Sequence, residues 1–150
     1  MSVDKVVVRA PATSANMGPG FDSLGLAMEL RDEVTFERAA DGESRAITVD
    51  SDGTQVSLGI PTGRDNLAIR AFATAFRDAG QTAPAVNVRI VNRIPVARGL
   101  GSSAAAIVAG LMAADAFMGI APDLQRLLNT AARIEGHPDN TAACILGGIT

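Results

Sequence analysis

The stretch Val86-Asn87-Val88-Arg89-Ile90-Val91-Asn92-Arg93-Ile94-Pro95-Val96-Ala97-Arg98-Gly99-Leu100-Gly101-Ser102-Ser103-Ala104-Ala105 carries the deciding pattern. Val86, Val88 and Ile90 alternate with Asn87, Arg89 and Val91, the period of a half-buried strand that continues towards Ile94. Glycines 99 and 101 then interrupt the chain. An apolar, alanine-rich run from about Ser103 to Met118 follows and reads as a buried helix that Gly119 ends. A loop between a strand and such a helix favours an anion. The first N–H groups of a helix have no intrahelical partners, and the helix dipole adds partial positive charge. Glycines at 99 and 101 let backbone N–H groups approach oxygens without a Cβ in the way. Ser102 and Ser103 add hydroxyls that can cap the helix, touch phosphate or ligate a divalent cation.

Two familiar phosphate motifs fail here. A Walker loop needs a lysine before its Ser or Thr, and none is near. Gly99 to Ala104 spells a dinucleotide fingerprint, but that motif also needs a second parallel strand ending in an acid about twenty residues on. Asp115 falls inside the helix and Asp123 opens the next one, so that strand is missing. A plain helix cap, with glycines used for packing, is the alternative reading of the loop.

Working outward, Val6 to Arg9 predicts a first strand over about Lys5–Ala10, ended by Pro11. Strand-like segments follow near Leu24–Leu30, Val34–Arg38 and Ala46–Val49, with polar turns at Asp41–Glu43 and Asp50–Gly53. Leu67, Ile69, Phe72, Ala73 and Phe76 share one helical face, with Asp65 as the expected N-cap and Gly80 as the stop. Pro122-Asp123 opens a third helix with Leu124, Leu127, Leu128 and Ala131 inward, and Thr141–Leu146 a short fourth. Gly147-Gly148-Ile149-Thr150 reads as a turn entering another strand. Strands precede most helices, so the class is α+β.

Two polar knots remain. Pro11-Ala12-Thr13-Ser14-Ala15-Asn16-Met17-Gly18-Pro19-Gly20-Phe21-Asp22 is too polar for core. Its Asn16 and Asp22, held by a stiff Gly18-Pro19-Gly20 turn, suit a small polar ligand, though an ordinary inter-strand loop is the plain alternative. Glu135-Gly136-His137-Pro138-Asp139-Asn140 gathers the single histidine and two carboxylates. Glu135 suits a metal, Asp139 an ammonium or hydroxyl, and His137 a hydrogen bond to either. A Ser103–His137–Asp139 triad is conceivable but poorly spaced, and a plain polar turn is also open.

Composition excludes several classes. The 150 residues suffice for one domain with a real core, and 47% hydrophobic against 19% charged residues excludes disorder. Thirteen Lys+Arg face sixteen Asp+Glu, and the only aromatics are five phenylalanines, so a base-stacking, phosphate-tracking nucleic-acid surface is not expected. Lys5 is the one lysine, which nearly removes lysine chemistry. Cys144 is the one cysteine and reads as a small buried hydrophobe; no internal disulfide or Cys/His zinc site can form. No apolar run is long enough for a membrane span, and a soluble, reducing, cytoplasmic setting is expected.

Taken together, three motifs resemble a known family. The Pro11–Gly25 stretch resembles the N-terminal signature of homoserine kinases, members of the GHMP superfamily (galacto-, homoserine, mevalonate and phosphomevalonate kinases). Ile94–Ala105 resembles the superfamily's ATP loop, and Glu135–Asn140 followed by Gly147-Gly148 matches the homoserine kinase pattern. The resemblance implies a two-layer α+β fold like ribosomal protein S5 domain 2, spanning 1–150 as the N-terminal ATP-binding domain. The activity implied is phosphorylation of L-homoserine to O-phospho-L-homoserine by ATP with Mg2+, a step towards threonine. It further implies that Pro95 through Ala105 wrap the phosphates, that Asn66 lies near the adenine and that Ser103 and Glu135 hold the metal. Asn16, Asp22, His137 and Asp139 would line the homoserine pocket, with Ser103, Glu135 and Asp139 as the catalytic set. Many relatives carry an acid where this chain has Arg133. Homoserine kinases are also about twice as long, so the resemblance implies that the C-terminal GHMP domain is absent from this chain, and activity is expected to need that half; a homodimer is the other partner expected. A GHMP kinase for another small alcohol, a non-catalytic nucleotide-binding module and a self-associating fragment are the other readings.

Overall fold

A computed structural model describes residues 3–21 and 23–150 of the chain. Four strands share one sheet because their apolar residues recur at every second position. They are β1 (Lys5–Ala15), β2 (Gly25–Arg38), β3 (Arg45–Val49) and β4 (Val86–Val91), arranged in the order β1-β2-β4-β3. Val8, Ala10, Val34, Phe36, Ala46, Val86, Val88 and Ile90 all point to one buried face. The opposite face is charged, and its register is matched: Lys5 lies opposite Glu37 and Arg9 opposite Glu33, with ion pairs of 3.5 and 3.1 Å. Such exposed pairs contribute roughly 0.2–1 kcal/mol each, so their role is to specify register more than to stabilise.

Four helices, α1 (Leu67–Asp78), α2 (Ser102–Met118), α3 (Leu124–Glu135) and α4 (Asp139–Leu146), complete the α+β fold. The apolar helix α2 is buried along most of its length and touches α1, α3, α4, β1 and β2. Phe72 of α1 packs on Phe36, Phe76 and Phe117 with ring centroids 5.0–5.6 Å apart, joining sheet and helices in one core. The parallel pair β3 and β4 is connected through α1, one β-α-β unit within an otherwise antiparallel sheet.

Several expectations need correcting. Strand β1 does not stop at Pro11 but runs to Ala15, because β1 is an edge strand and a missing N–H there leaves no partner unbonded. The pairs Pro11↔Arg31 and Thr13↔Ala27 leave Ala12 facing residues 28–30, an irregularity that bends the ribbon. Thr13 is fully buried, so this part of the polar knot is core after all. The two segments expected near Leu24–Leu30 and Val34–Arg38 are one strand, β2. Asn66 rather than Asp65 caps α1, its side chain accepting the Ala68 N–H. Gly101 caps α2 with no side-chain cap, so neither Ser102 nor Ser103 serves there. Leu124 is exposed at the start of α3. The last residues pair as expected: Gly25 and Thr150 exchange two backbone hydrogen bonds of 2.9 Å beside β2. No helix among the described residues is long and apolar enough to cross a membrane.

The tightest helix contact is set by Gly110 of α2. A Cβ there would lie 2.3 Å from the Ala68 carbonyl oxygen and 2.9 Å from the Ala71 Cβ. Overpacking of about 1–3 kcal/mol therefore exceeds the ~1 kcal/mol that alanine gains over glycine in a helix. Gly110→Ala is expected to lower the thermal midpoint by roughly 3–8 °C in calorimetry.

Candidate functional site

Strand β4 ends at Val91, and the chain turns through fully buried Ile94 into the glycine loop. Positive φ recurs at every second residue, Ala97 (57°), Gly99 (71°) and Gly101 (67°). Left-handed residues alternating with ordinary ones turn successive N–H groups towards a common point, as in anion-binding nests. Ala97 adopts this conformation despite its Cβ, which carries a local backbone cost. The loop feeds α2, whose first turn holds no acid and no side-chain cap, so its N–H groups stay open to a ligand.

The loop is fastened from β1. Thr13 N donates to the Leu100 carbonyl at 3.0 Å, and Thr13 Oγ1 donates to Asn140 Oδ1 at 2.8 Å. A Cβ on Gly101 would fall 1.9 Å from Thr13 Oγ1, so only glycine lets β1 and the start of α2 meet. A second close approach seats α4: a Cβ on Gly25 would stand 2.5 Å from the Asp139 carbonyl oxygen.

The loop borders a pocket of about 440 Å³. Residues 95–103 form one side, and Leu58 to Pro61, Asn66 and Leu67 the other, with Asp32, Asn92 and Asn140 between them. Asn66 lines it with both ends of its amide engaged, Oδ1 by Ala68 N–H and Nδ2 with the Pro61 carbonyl at 2.9 Å. Ala104 and Ala105 lie buried behind the loop. Arg98, exposed at the rim, makes no ion pair with the described residues.

Beside the loop, Ser103 Oγ donates to Glu135 Oε1 at 2.6 Å, bringing together groups 32 residues apart. This rules out the triad arrangement, since the serine hydroxyl pairs with Glu135 and not with His137. His137 Nδ1 lies 2.7 Å from Asp139 Oδ1, which also accepts the Asn140 N–H at 2.8 Å. Asp139 is buried while the His137 ring is half exposed. Asn16 sits just past β1 with φ 58°. Asp22 lies outside the described residues. Arg133 pairs with Asp78 of α1, away from Glu135's hydroxyl partner.

Among the described residues no three His, Cys, Asp or Glu side chains form a metal cage. The Ser103–Glu135 oxygens still fit Mg2+, which takes only one or two protein ligands when phosphates and waters supply the rest. Sequence reading missed Asp32, because Arg31-Asp32-Glu33 looks like a break between strands. The usable signal was phase: Asp32 alternates with Val34 and Phe36 and must face inward. A larger cleft of about 590 Å³, lined by Arg64, Arg70, Arg77 and Arg133, opens elsewhere and touches none of the three motifs except through Arg133 and Ile134 beside Glu135.

Residues 66–148 match the family described as GHMP kinases N terminal domain. Homoserine kinase of Moorella thermoacetica is 45% identical over 143 residues, covering 95% of this chain and 46% of that protein. Homoserine kinase of Clavibacter michiganensis is 47% identical over 149 residues, covering 97% and 46%. The solved homoserine kinase of Cytophaga hutchinsonii superposes with a TM-score of 0.82 at 29% identity, covering 99% of this chain and 48% of that one. The chain thus spans about half the length of the curated relatives it matches.

Cys144, beneath the site on α4, contributes no nucleophile. Burial pushes its thiol up to about 12, and its Sγ lies 3.7 Å from the Pro11 carbonyl. Iodoacetamide at pH 8 is expected to leave Cys144 unmodified in the native protein and to alkylate it fully in guanidinium, read by mass spectrometry, because the thiolate is the reacting form.

Proposed function

The chain belongs to the GHMP kinase family, as the N-terminal domain of that family, and we propose that it is the ATP-binding half of a homoserine kinase. The reaction is transfer of the γ-phosphoryl group of ATP to the side-chain hydroxyl of L-homoserine, giving O-phospho-L-homoserine for threonine biosynthesis in the cytoplasm. The observation that carries this reading is the strained 95–101 loop opening onto the uncapped start of α2, with Ser103 and Glu135 bonded together at its edge.

The division of labour follows from the chemistry. Phosphoryl transfer passes through a loose transition state with little bonding to the attacking oxygen, so positioning and charge neutralisation dominate. The hydroxyl oxygen bonds to the γ-phosphorus as the bond from that phosphorus to the bridging β-phosphate oxygen breaks, ADP leaves, and the hydroxyl proton passes late to an oxygen of the transferred phosphoryl group or to water, with no strong base required. Loop N–H groups and the α2 dipole hold the phosphates where a lysine would otherwise stand, with Arg98 at the rim. Ser103 and Glu135 would hold Mg2+, which when bound neutralises charge on the phosphate oxygens. The buried Asp139 carboxylate, oriented by His137 and the Asn140 N–H, suits the ammonium of an amino alcohol, and Asn16 is proposed as a further substrate-binding group. The second half that full-length relatives possess would close the acceptor side.

ADP release by the full-length protein is expected with homoserine and not with glycerol or mevalonate. A preference for either of the latter makes it a GHMP kinase for another alcohol, and nucleotide binding with no turnover makes it a binding module. Ser103→Ala and Glu135→Gln should each lower kcat by about 10²–10³-fold, the usual loss of one group stabilising transition-state charge, with ATP affinity changed far less. Gly101→Val should abolish ATP binding in calorimetric titration while leaving a folded sheet by circular dichroism.

A further inference from the structure

We infer that Asp32 is a positioning residue for the nucleotide loop, taking the two backbone N–H groups that β4 gives up on leaving the sheet and so deciding where the loop begins. The inference rests on the nucleotide reading of that loop. The ladder between β2 and β4 ends at Glu33↔Val91. One residue earlier on β2, Asp32 turns its side chain to the core face and is 4% exposed. Its Oδ1 accepts the Arg93 N–H at 2.6 Å and the Ile94 N–H at 2.8 Å, and its Oδ2 accepts Asn92 Nδ2 at 3.3 Å. Asn92 Nδ2 also donates to the Ile94 carbonyl at 2.9 Å, closing the turn on itself. Pro95 is the next residue. Thr13 fastens the other end at Leu100 and Gly101, so the loop is held between β1 and β2.

Two forces oppose a carboxylate at this place. Burial penalises its charge, and its field opposes an anion in the pocket that it lines. Its three donors offset the first only in part, so burial still holds its carboxyl above the ordinary carboxylate range, and a loop held open for phosphate offsets the second. The two effects predict opposite signs for one variant. Asp32→Asn keeps the shape, removes the negative charge, reduces the two charge-assisted backbone bonds to neutral ones and sets an amide N–H against the Asn92 N–H. If charge alone mattered, ATP would bind more tightly; if anchoring matters, it binds more weakly.

The experiment uses the full-length protein. Asp32→Asn is expected to raise the Kd for ATP about tenfold, the loss expected when charge-assisted hydrogen bonds become neutral ones and the Asn92 contact turns repulsive, with the KM for the acceptor unchanged. Amide exchange at residues 94–101 of the ligand-free variant should quicken, while that of 86–90 stays as in the parent. Asn92→Ala, which leaves both backbone bonds on an ionised carboxylate, should give a smaller shift in the same direction and serves if Asp32→Asn does not fold. Unchanged or tighter ATP binding together with unchanged exchange at 94–101 overturns the inference. A parent protein that binds no nucleotide defeats the nucleotide reading instead. In that case the exchange comparison alone decides whether Asp32 anchors the loop.

Discussion

The arrangement depends on one missing methyl group. Thr13 Oγ1 occupies the space that a Cβ on Gly101 would fill, so β1, the glycine loop and the first turn of α2 can touch only because residue 101 has no side chain. The same threonine then reaches Asn140 on α4 and, through its backbone, Leu100. Three segments distant in sequence are thereby gathered on a single buried side chain. The Gly25–Asp139 contact is a second such approach, seating the start of α4 against β2.

Electrostatics explains how an acidic chain can offer an anion site. Its carboxylates outnumber its cations, yet the loop and the start of α2 hold no acid, and the nearby carboxylates are each engaged. Asp32 is tied by backbone N–H groups, Glu135 by the Ser103 hydroxyl, and Asp139 by His137 and Asn140. Backbone dipoles in a partly desolvated pocket then supply the positive field that a lysine supplies elsewhere. The cost is rigidity. Ala97 is held in a left-handed conformation and Asp32 is held buried, and neither is tolerable unless the surroundings over-determine it.

Much of the fold was legible because period and punctuation are local signals. The alternation of Val86, Val88 and Ile90, the apolar run of α2 and the stops at Gly80 and Gly119 all reappear in the structure. The errors share one cause, which is that polar or breaking residues were read by type and not by partner. Pro11 looked like an end, yet it lies in an edge strand where no N–H is needed. Arg31-Asp32-Glu33 falls between two expected strand segments, yet Glu33 is matched by Arg9 across the strands and Asp32 by amides 61 and 62 residues away. Asp65 looked like a cap, but the neighbouring Asn66 performs that role because its other amide group also finds the Pro61 carbonyl.

What the residues determined unaided was the inventory: a strand, a glycine loop and an apolar helix in sequence, with two polar knots at either end of the chain. Helix and strand periods are set by neighbours within a few positions, so they survive without knowledge of the whole. Which groups meet was decided by packing alone. Ser103 finds Glu135, Thr13 finds Asn140, and Asp32 finds the turn after β4 only when the sheet is ordered β1-β2-β4-β3 and α2 is sunk against it. Hydrogen bonds reach about 3 Å, whereas sequence separation fixes no distance beyond a turn or two, and so the chemistry waits on the fold.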